Sequence, residues 1–265
     1  MIFYSSIEPV YFMLPVLGLI IGFFSSMLGG GGGFFFLPIM TLLLKVPPQV
    51  AVITSLVATL PICIAGSFSH YRRSNIDFRI AAIFTVAGIA GAFIGAGITS
   101  IISSNELKVS FGTYSMLLSF NLIIGTWKRK RKNKDGNVQK NTGNMTRMTK
   151  GSFFGLFAGI VTGTFGTSGT APVLAGLFSM HIPLKRVIGT SLMVVLINTF
   201  FAVGAHFLIG QIDMTLVLFL TAGSTIGALT GPRLLTNVKS EHSENKFRYI
   251  YATVMGILGF LMIIG

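Results

Sequence analysis

The sequence predicts an all-α polytopic membrane protein. It would contain two inverted repeats of about five membrane segments each, with glycine-rich broken hairpins meeting near the midplane. Three observations lead there: a composition too apolar to be wetted, a series of apolar runs long enough to cross a bilayer, and residues that recur at one fixed offset. Of 265 residues, 52% are hydrophobic and 10% charged, where soluble domains carry roughly 25% charged residues. With 24 Phe, 32 Gly and a mean hydropathy of +0.77, the chain has too few polar side chains to cover a globule. A soluble enzyme, a nucleic-acid reader and a disordered tail are thereby excluded.

In chain order, apolar runs fall at residues 10–28, 49–69, 79–102 and 107–127, with a shorter piece at 34–44 after the glycines. About 20 helical residues cross a hydrocarbon core of ~30 Å. The same order returns at 151–165, a small-residue loop at 166–170, a short piece at 171–180, then 187–207, 214–231 and 247–264. The organisation is an N-terminal transmembrane repeat (1–127), a basic linker (128–150) and a C-terminal transmembrane repeat (151–265).

Residues confirm the repeat at one spacing. Pro47 matches Pro183; Thr54, Ser55 and Leu56 match Thr190, Ser191 and Leu192; His70 matches His206; Asp77 matches Asp213; Gly91, Ala92 and Gly95 match Gly227, Ala228 and Gly231. Duplicated membrane halves are characteristic of transporters, which alternate around one site.

The net charge of +13 is read from where it sits. If each half crosses an odd number of times, one side receives Arg72, Arg73, Arg79, the basic residues of 128–150, Lys185, Arg186, Arg233, Lys239, Lys246 and Arg248. The other side receives Lys45 and Lys108. Because cytoplasmic loops are enriched in Lys and Arg, inverted halves with both termini outside fit better than re-entrant short pieces. The linker is then cytoplasmic. No Lys or Arg precedes Lys45, which argues against a cleavable signal peptide. The lone Cys63 excludes an intramolecular disulfide.

Five consecutive glycines, 29–33, followed by Phe34, Phe35, Phe36, Leu37 and Pro38, should break a helix, since each costs ~1 kcal/mol relative to Ala. Residues 150–180 amount to about 46 Å of helix at ~1.5 Å per residue, too little to cross twice. Their turn at 166–170 therefore belongs at membrane depth. Such broken backbone persists only where protein or a wet cavity satisfies it, and half-helices starting there aim N–H groups inward. A nucleotide or phosphate loop is a poor reading, because no Lys-Ser or Lys-Thr follows the glycines. Gly91, Gly95, Gly227 and Gly231 have the small-xxx-small spacing of helix packing.

None of the seven acidic residues falls in the middle of a span, although ion-coupled cation carriers usually keep a carboxylate there. Hydroxyls and amides are available instead, so a pocket for a small anion is the expected chemistry. The expected substrate-binding residues are Gly31, Gly32, Gly33, Thr54, Ser55, Gly166, Thr167, Ser168, Gly169, Thr170, Thr190, Ser191 and Asn198. A Cβ at Gly32 or Gly169 would then block approach of the anion to the backbone. His70 and His206 end equivalent helices and are read either as interfacial side chains or helix caps, or as gating and proton-coupling groups. Asp77 and Asp213 are expected helix caps. No catalytic residue, metal or cofactor is expected.

The glycine run through Pro38, the repeated Pro-(6)-Thr-Ser-Leu at Pro47 and Pro183, and Gly-Thr-Ser-Gly-Thr-Ala-Pro from Gly166 to Pro172 resemble the TauE/SafE sulfite exporter family, also called the toluene sulfonate uptake permeases. The resemblance covers nearly the whole chain. It implies secondary transport of sulfite, sulfonates, thiosulfate or related organosulfur anions across the plasma membrane. The implied partners are a small anionic substrate, the lipid bilayer and a coupling proton or sodium ion, without nucleic acid; oligomeric state is not legible. The contrasting class is an integral-membrane enzyme or assembly factor acting on a lipid or partner protein, for which the chain lacks an intramembrane His, Asp and Glu cluster.

Overall fold

The computed structural model describes residues 2–28, 32–132, 144–180, 182–207, 210–235 and 241–265. Gly31, expected at the substrate site, and residues 133–143 of the linker lie outside them. The described residues are almost wholly helical, as lipid demands when every backbone N–H and C=O must be satisfied internally.

The first half opens with a 3₁₀ turn, Pro9–Met13, leading into α1 (Leu14–Leu28). Beyond the glycines, α2 (Gly33–Pro38) runs on as a π turn, Ile39–Leu43, at the point where Pro38 supplies no N–H to a regular ladder. Next come α3 (Pro48–Tyr71), α4 (Phe78–Ile101) and α5 (Ser104–Lys132). Pro48 at the start of α3 forfeits only an N–H that would have lacked a partner. The second half repeats the order as α6 (Asn144–Phe165), α7 (Thr170–Ser179), α8 (Leu184–Phe207), α9 (Met214–Leu235) and α10 (Glu241–Ile264). Helices α5 and α6 thus run into both ends of the basic stretch.

Both aspartates cap as expected. Asp77 Oδ1 accepts from Ile80 N at 3.1 Å, and Asp213 Oδ1 accepts from Thr215 N at 3.0 Å and Leu216 N at 3.3 Å. Asp213 also lies in β2 (Ile212–Asp213), which pairs in parallel with β1 (Ile2–Phe3).

Among the described residues, six helices are long and apolar enough to cross a membrane, and Gly33–Leu43 and Thr170–Ser179 are not. At ~1.5 Å per residue they cover about half a hydrocarbon core. These two pieces therefore do not complete the ten full crossings that the charge pattern suggests. Instead α7 folds back along α6, with Gly176 against Phe84 and Phe154. A hairpin that returns leaves later segments on the sides that two full crossings would have given.

Helices α3 and α8 form the centre: 67% and 61% of their spans are buried, against 28% for α5. They run antiparallel, because Thr54 near the start of α3 lies beside Asp213 just past α8, while Gly189 near the start of α8 lies beside His70 and Asn75. Helices α5 and α10 are also antiparallel, Gly112 meeting Gly259 and Ser119 meeting Ala252. Two further pairs cross closely: α1 packs on α9 through Gly18, Gly22, Gly223 and Gly227, and α6 packs on α4 through Gly155, Gly159, Gly88, Gly91 and Gly95. The small-residue reading of Gly91, Gly95 and Gly227 is thereby realised as backbone contact.

The ends sort by contact. Gln49 Nε2 donates to Ile102 O at 3.3 Å, Ser104 Oγ donates to Gln49 Oε1 at 2.7 Å, and Gly265 lies against Leu42. Lys45 and Lys108 belong to this end. At the opposite ends of α3, α4 and α8 sit Arg72, Arg73, Arg79, Lys185 and Arg186, all exposed.

Candidate functional site

Three glycines shape the two turns. Gly32, Gly166 and Gly169 have φ of 80°, 64° and 52°, the left-handed region that a Cβ disfavours. Gly166 N donates to Thr162 O at 3.0 Å and closes the end of α6. Gly32 and Gly169 stand immediately before α2 and α7.

The turns meet. A Cβ on Gly33 would lie 2.8 Å from Gly166 O, 2.8 Å from Thr59 Oγ1 and 3.2 Å from Ser168 N. Thr59 is halfway along the 24-residue α3, so the meeting point is at the middle of the bundle. Ser55 Oγ donates to Gly166 O at 2.8 Å while also bonding Val52 O, which ties the second turn to α3. Ser168 Oγ and Thr170 Oγ1 share a hydrogen bond of 2.8 Å.

Beside this junction is a cavity of ≈ 20 Å³ lined by Gly32, Phe34, Thr167, Ser168, Gly169, Thr170, Ala171, Tyr114, Leu118, Tyr251 and Met255. That is room for about one water. The lining includes five hydroxyl residues, Thr167, Ser168, Thr170, Tyr114 and Tyr251, and none of its residues carries a charge. Thr170 and Ala171 begin α7, and their N–H groups belong to the first turn, which has no carbonyl of its own to bond. Pro172 brings no donor. A helix start with free N–H groups and no nearby carboxylate favours negative charge.

Of the expected binding residues, the cavity gathers Gly32, Thr167, Ser168, Gly169 and Thr170. Gly33, Ser55 and Gly166 form the junction behind it. The other described ones lie elsewhere. Thr54 Oγ1 accepts from Asp213 N at 3.2 Å, and Thr190 Oγ1 accepts from Asp77 N at 2.9 Å. These equivalent threonines each fasten the loop before a capped helix in the opposite half. Ser191 is buried on α8, and Asn198 packs against Gly88 on α4; neither lines the cavity.

His70 and His206 are 3% and 1% exposed, so both are packed inside the protein, in the last turns of α3 and α8. His206 Nε2 donates to Gly163 O at 2.6 Å, joining the end of α8 to the second hairpin. Both ring nitrogens of His70 are buried without a partner among the described residues.

Tyr114 and Tyr251 line the cavity without having been expected there. A signal existed: they occupy matching positions in the fifth segment of each half, at a spacing one residue greater than that of the other pairs. Gly32 and Gly169, which begin the two short helices, share that shifted spacing.

The sulfite exporter TauE/SafE family model matches residues 14–262. The chain belongs to that family. A probable membrane transporter protein of Bacillus subtilis (strain 168), YdhB, is 27% identical over 92% of this chain and 96% of its own length. A second from that organism, YunE, is 25% identical over 82% and 86%. A probable membrane transporter protein of Xylella fastidiosa (strain 9a5c) is 27% identical over 86% and 87%. No solved structure matches the chain. Family, relatives and long apolar helices agree on a multi-pass membrane protein of a transporter family.

Proposed function

We propose that this protein is a secondary transporter in the plasma membrane that moves a small sulfur-containing anion, such as sulfite, thiosulfate or a sulfonate, by alternating access. One observation carries the reading. Two broken hairpins from opposite halves abut at mid-bundle beside a hydroxyl-lined cavity without a carboxylate. Hydroxyls and free helix N–H groups suit an oxyanion, whereas a bound cation would lack a counter-charge. In an occluded stage of the cycle, the two hairpins would enclose the substrate in this cavity. Binding would centre on Gly32 and residues 167–170, with Ser55 holding the second turn and Thr54 and Thr190 fixing the loops about which the halves move.

The halves are inverted repeats in this reading, supported by the antiparallel pairs α3 with α8 and α5 with α10. Rocking one half against the other opens the shared site first to one side and then to the other. His206 and Gly163 would close one gate, and a proton or sodium ion would supply the coupling.

Liposomes containing the purified protein should accumulate sulfite, thiosulfate or a sulfonate against protein-free controls, and acetate much less. Absence of binding or uptake for every anion would favour an enzyme or assembly factor acting on a lipid or partner protein. Orientation gives a separate expectation. The exposed Arg72, Arg73, Arg79, Lys185 and Arg186 share one end, so the linker should be cytoplasmic and both termini external. A reporter active only outside the cytoplasm, fused after Gly265, should be active; activity of a cytoplasm-only reporter at that point would overturn the inverted arrangement.

A further inference from the structure

We propose that Tyr114 and Tyr251 form a substrate-binding pair, one phenol O–H from each half donating to the anion. This deepens the transport reading above and rests on it. Both tyrosines line the mid-bundle cavity opposite the start of α7. Neither phenol hydroxyl has a hydrogen-bond partner among the described residues. A phenol O–H is a hydrogen-bond donor, so two half-buried tyrosines in one cavity lining, one from each half, suit a ligand with at least two acceptor oxygens. Nothing else in the lining supplies comparable donors on that side: Leu118 and Met255 are apolar neighbours on the same two helices.

The rings are held by the hairpins of the opposite half. Tyr114, from α5 of the first half, stacks on Phe165 at 5.5 Å and 21°, and Phe165 immediately precedes the second turn. Tyr251, from α10 of the second half, meets Phe35 of α2 edge-on at 5.4 Å. Each tyrosine therefore touches the other half's hairpin with its ring and also lines the cavity. An anion drawn to both hydroxyls is sensed by both hairpins at once. That is the property a shared site needs if binding is to precede rocking.

The test removes the hydroxyls and keeps the rings. Tyr114→Phe and Tyr251→Phe, reconstituted at matched protein level, are compared with wild type for uptake of sulfite, thiosulfate and methanesulfonate. A hydrogen bond to a charged group predicts a rise in KM of roughly ten- to a hundredfold in each variant, with maximal rate changed much less. Binding of the same anions to detergent-solubilised protein should weaken in parallel, with thermal stability unchanged in the absence of anion. Wild-type KM in either variant would overturn the pair. A lower maximal rate at unchanged KM would also overturn it, since it would assign the tyrosines to packing or gating. If wild-type protein neither binds nor moves any of these anions, the transport reading falls first and this inference with it, an outcome distinct from a failure confined to the variants.

Discussion

Gly169→Ala is expected to lower the yield and melting temperature of the folded protein sharply, whereas Gly33→Ala should leave a folded protein that transports roughly five- to a hundredfold more slowly. At Gly169 the backbone is left-handed, and an added Cβ would run into Ala158 O and Thr162 Oγ1 on the preceding helix of its own hairpin. Left-handed backbone costs an L-residue about 1–2 kcal/mol, and overpacking adds about 1–3 kcal/mol. Together these consume much of a typical stability of about 5–15 kcal/mol. A Cβ at Gly33 meets the opposite hairpin instead, at Gly166 O, and the hydroxyl of Thr59. It acts as a wedge at the point where the turns press together, disfavouring the closed arrangement by about 1–3 kcal/mol without distorting either hairpin. Size-exclusion profiles and thermal unfolding in detergent check the first expectation, and liposome uptake checks the second. Wild-type yield and melting temperature for Gly169→Ala would mean that this turn is not built as described. Wild-type uptake by Gly33→Ala would mean that the two hairpins do not close on each other during transport. A side chain at Gly169 therefore acts first on its own hairpin, rather than on the approach of the anion, because the new Cβ reaches Ala158 and Thr162.

Segments, repeat and caps were legible because each leaves a local or periodic trace. Asp77 and Asp213 stand just before an apolar run, as an N-cap must, and the glycine run announces a broken helix. Contacts between halves leave no such trace. Thr54 and Thr190 look like binding residues because they are hydroxyls in an apolar helix, yet their partners are the N–H groups of Asp213 and Asp77, far away in sequence. The direction in which an apolar helix faces is similarly hidden. Phe111 is fully buried and Phe120 is 64% exposed on the same α5, but lipid and core are equally apolar, so the pattern that distinguishes them in water disappears. Tyr114 and Tyr251 escaped for a related reason: their shared position emerges only when the spacing between halves is lengthened by one residue, as the turns before α2 and α7 require. The half-length of α7 was legible from arithmetic alone, but its return along α6 depends on the packing of Gly176 against Phe84 and Phe154.

Gly159→Leu should lose the folded state altogether, while Gly97→Leu should retain it, a contrast that isolates backbone packing from helix propensity. Both positions are glycines in apolar helices, and Leu favours helix over Gly by up to ~1 kcal/mol at either. Their surroundings differ. A Cβ on Gly159 would overlap Gly88 O and lie 2.8 Å from Gly88 C and 2.9 Å from Ala92 N, whereas one on Gly97 meets nothing within 4 Å. In lipid there is no hydrophobic drive to bring α4 and α6 together, so their association depends on close approach and on polar contacts made at that distance. Thr99 Oγ1 supplies such contacts, donating to Gly163 O at 3.1 Å and Thr164 O at 2.9 Å. Four extra carbons at Gly159 would part the helices, break the Thr99 bonds and detach the hairpin whose turn borders the cavity. The cost should exceed ~4 kcal/mol, in the range reserved for gross overpacking combined with lost buried hydrogen bonds. Detergent-solubilised protein should then show aggregated Gly159→Leu and monodisperse Gly97→Leu with wild-type thermal stability. Equal folded fractions for the two variants would rule out intimate packing of α4 on α6, and with it the support that holds the second turn against Ser55.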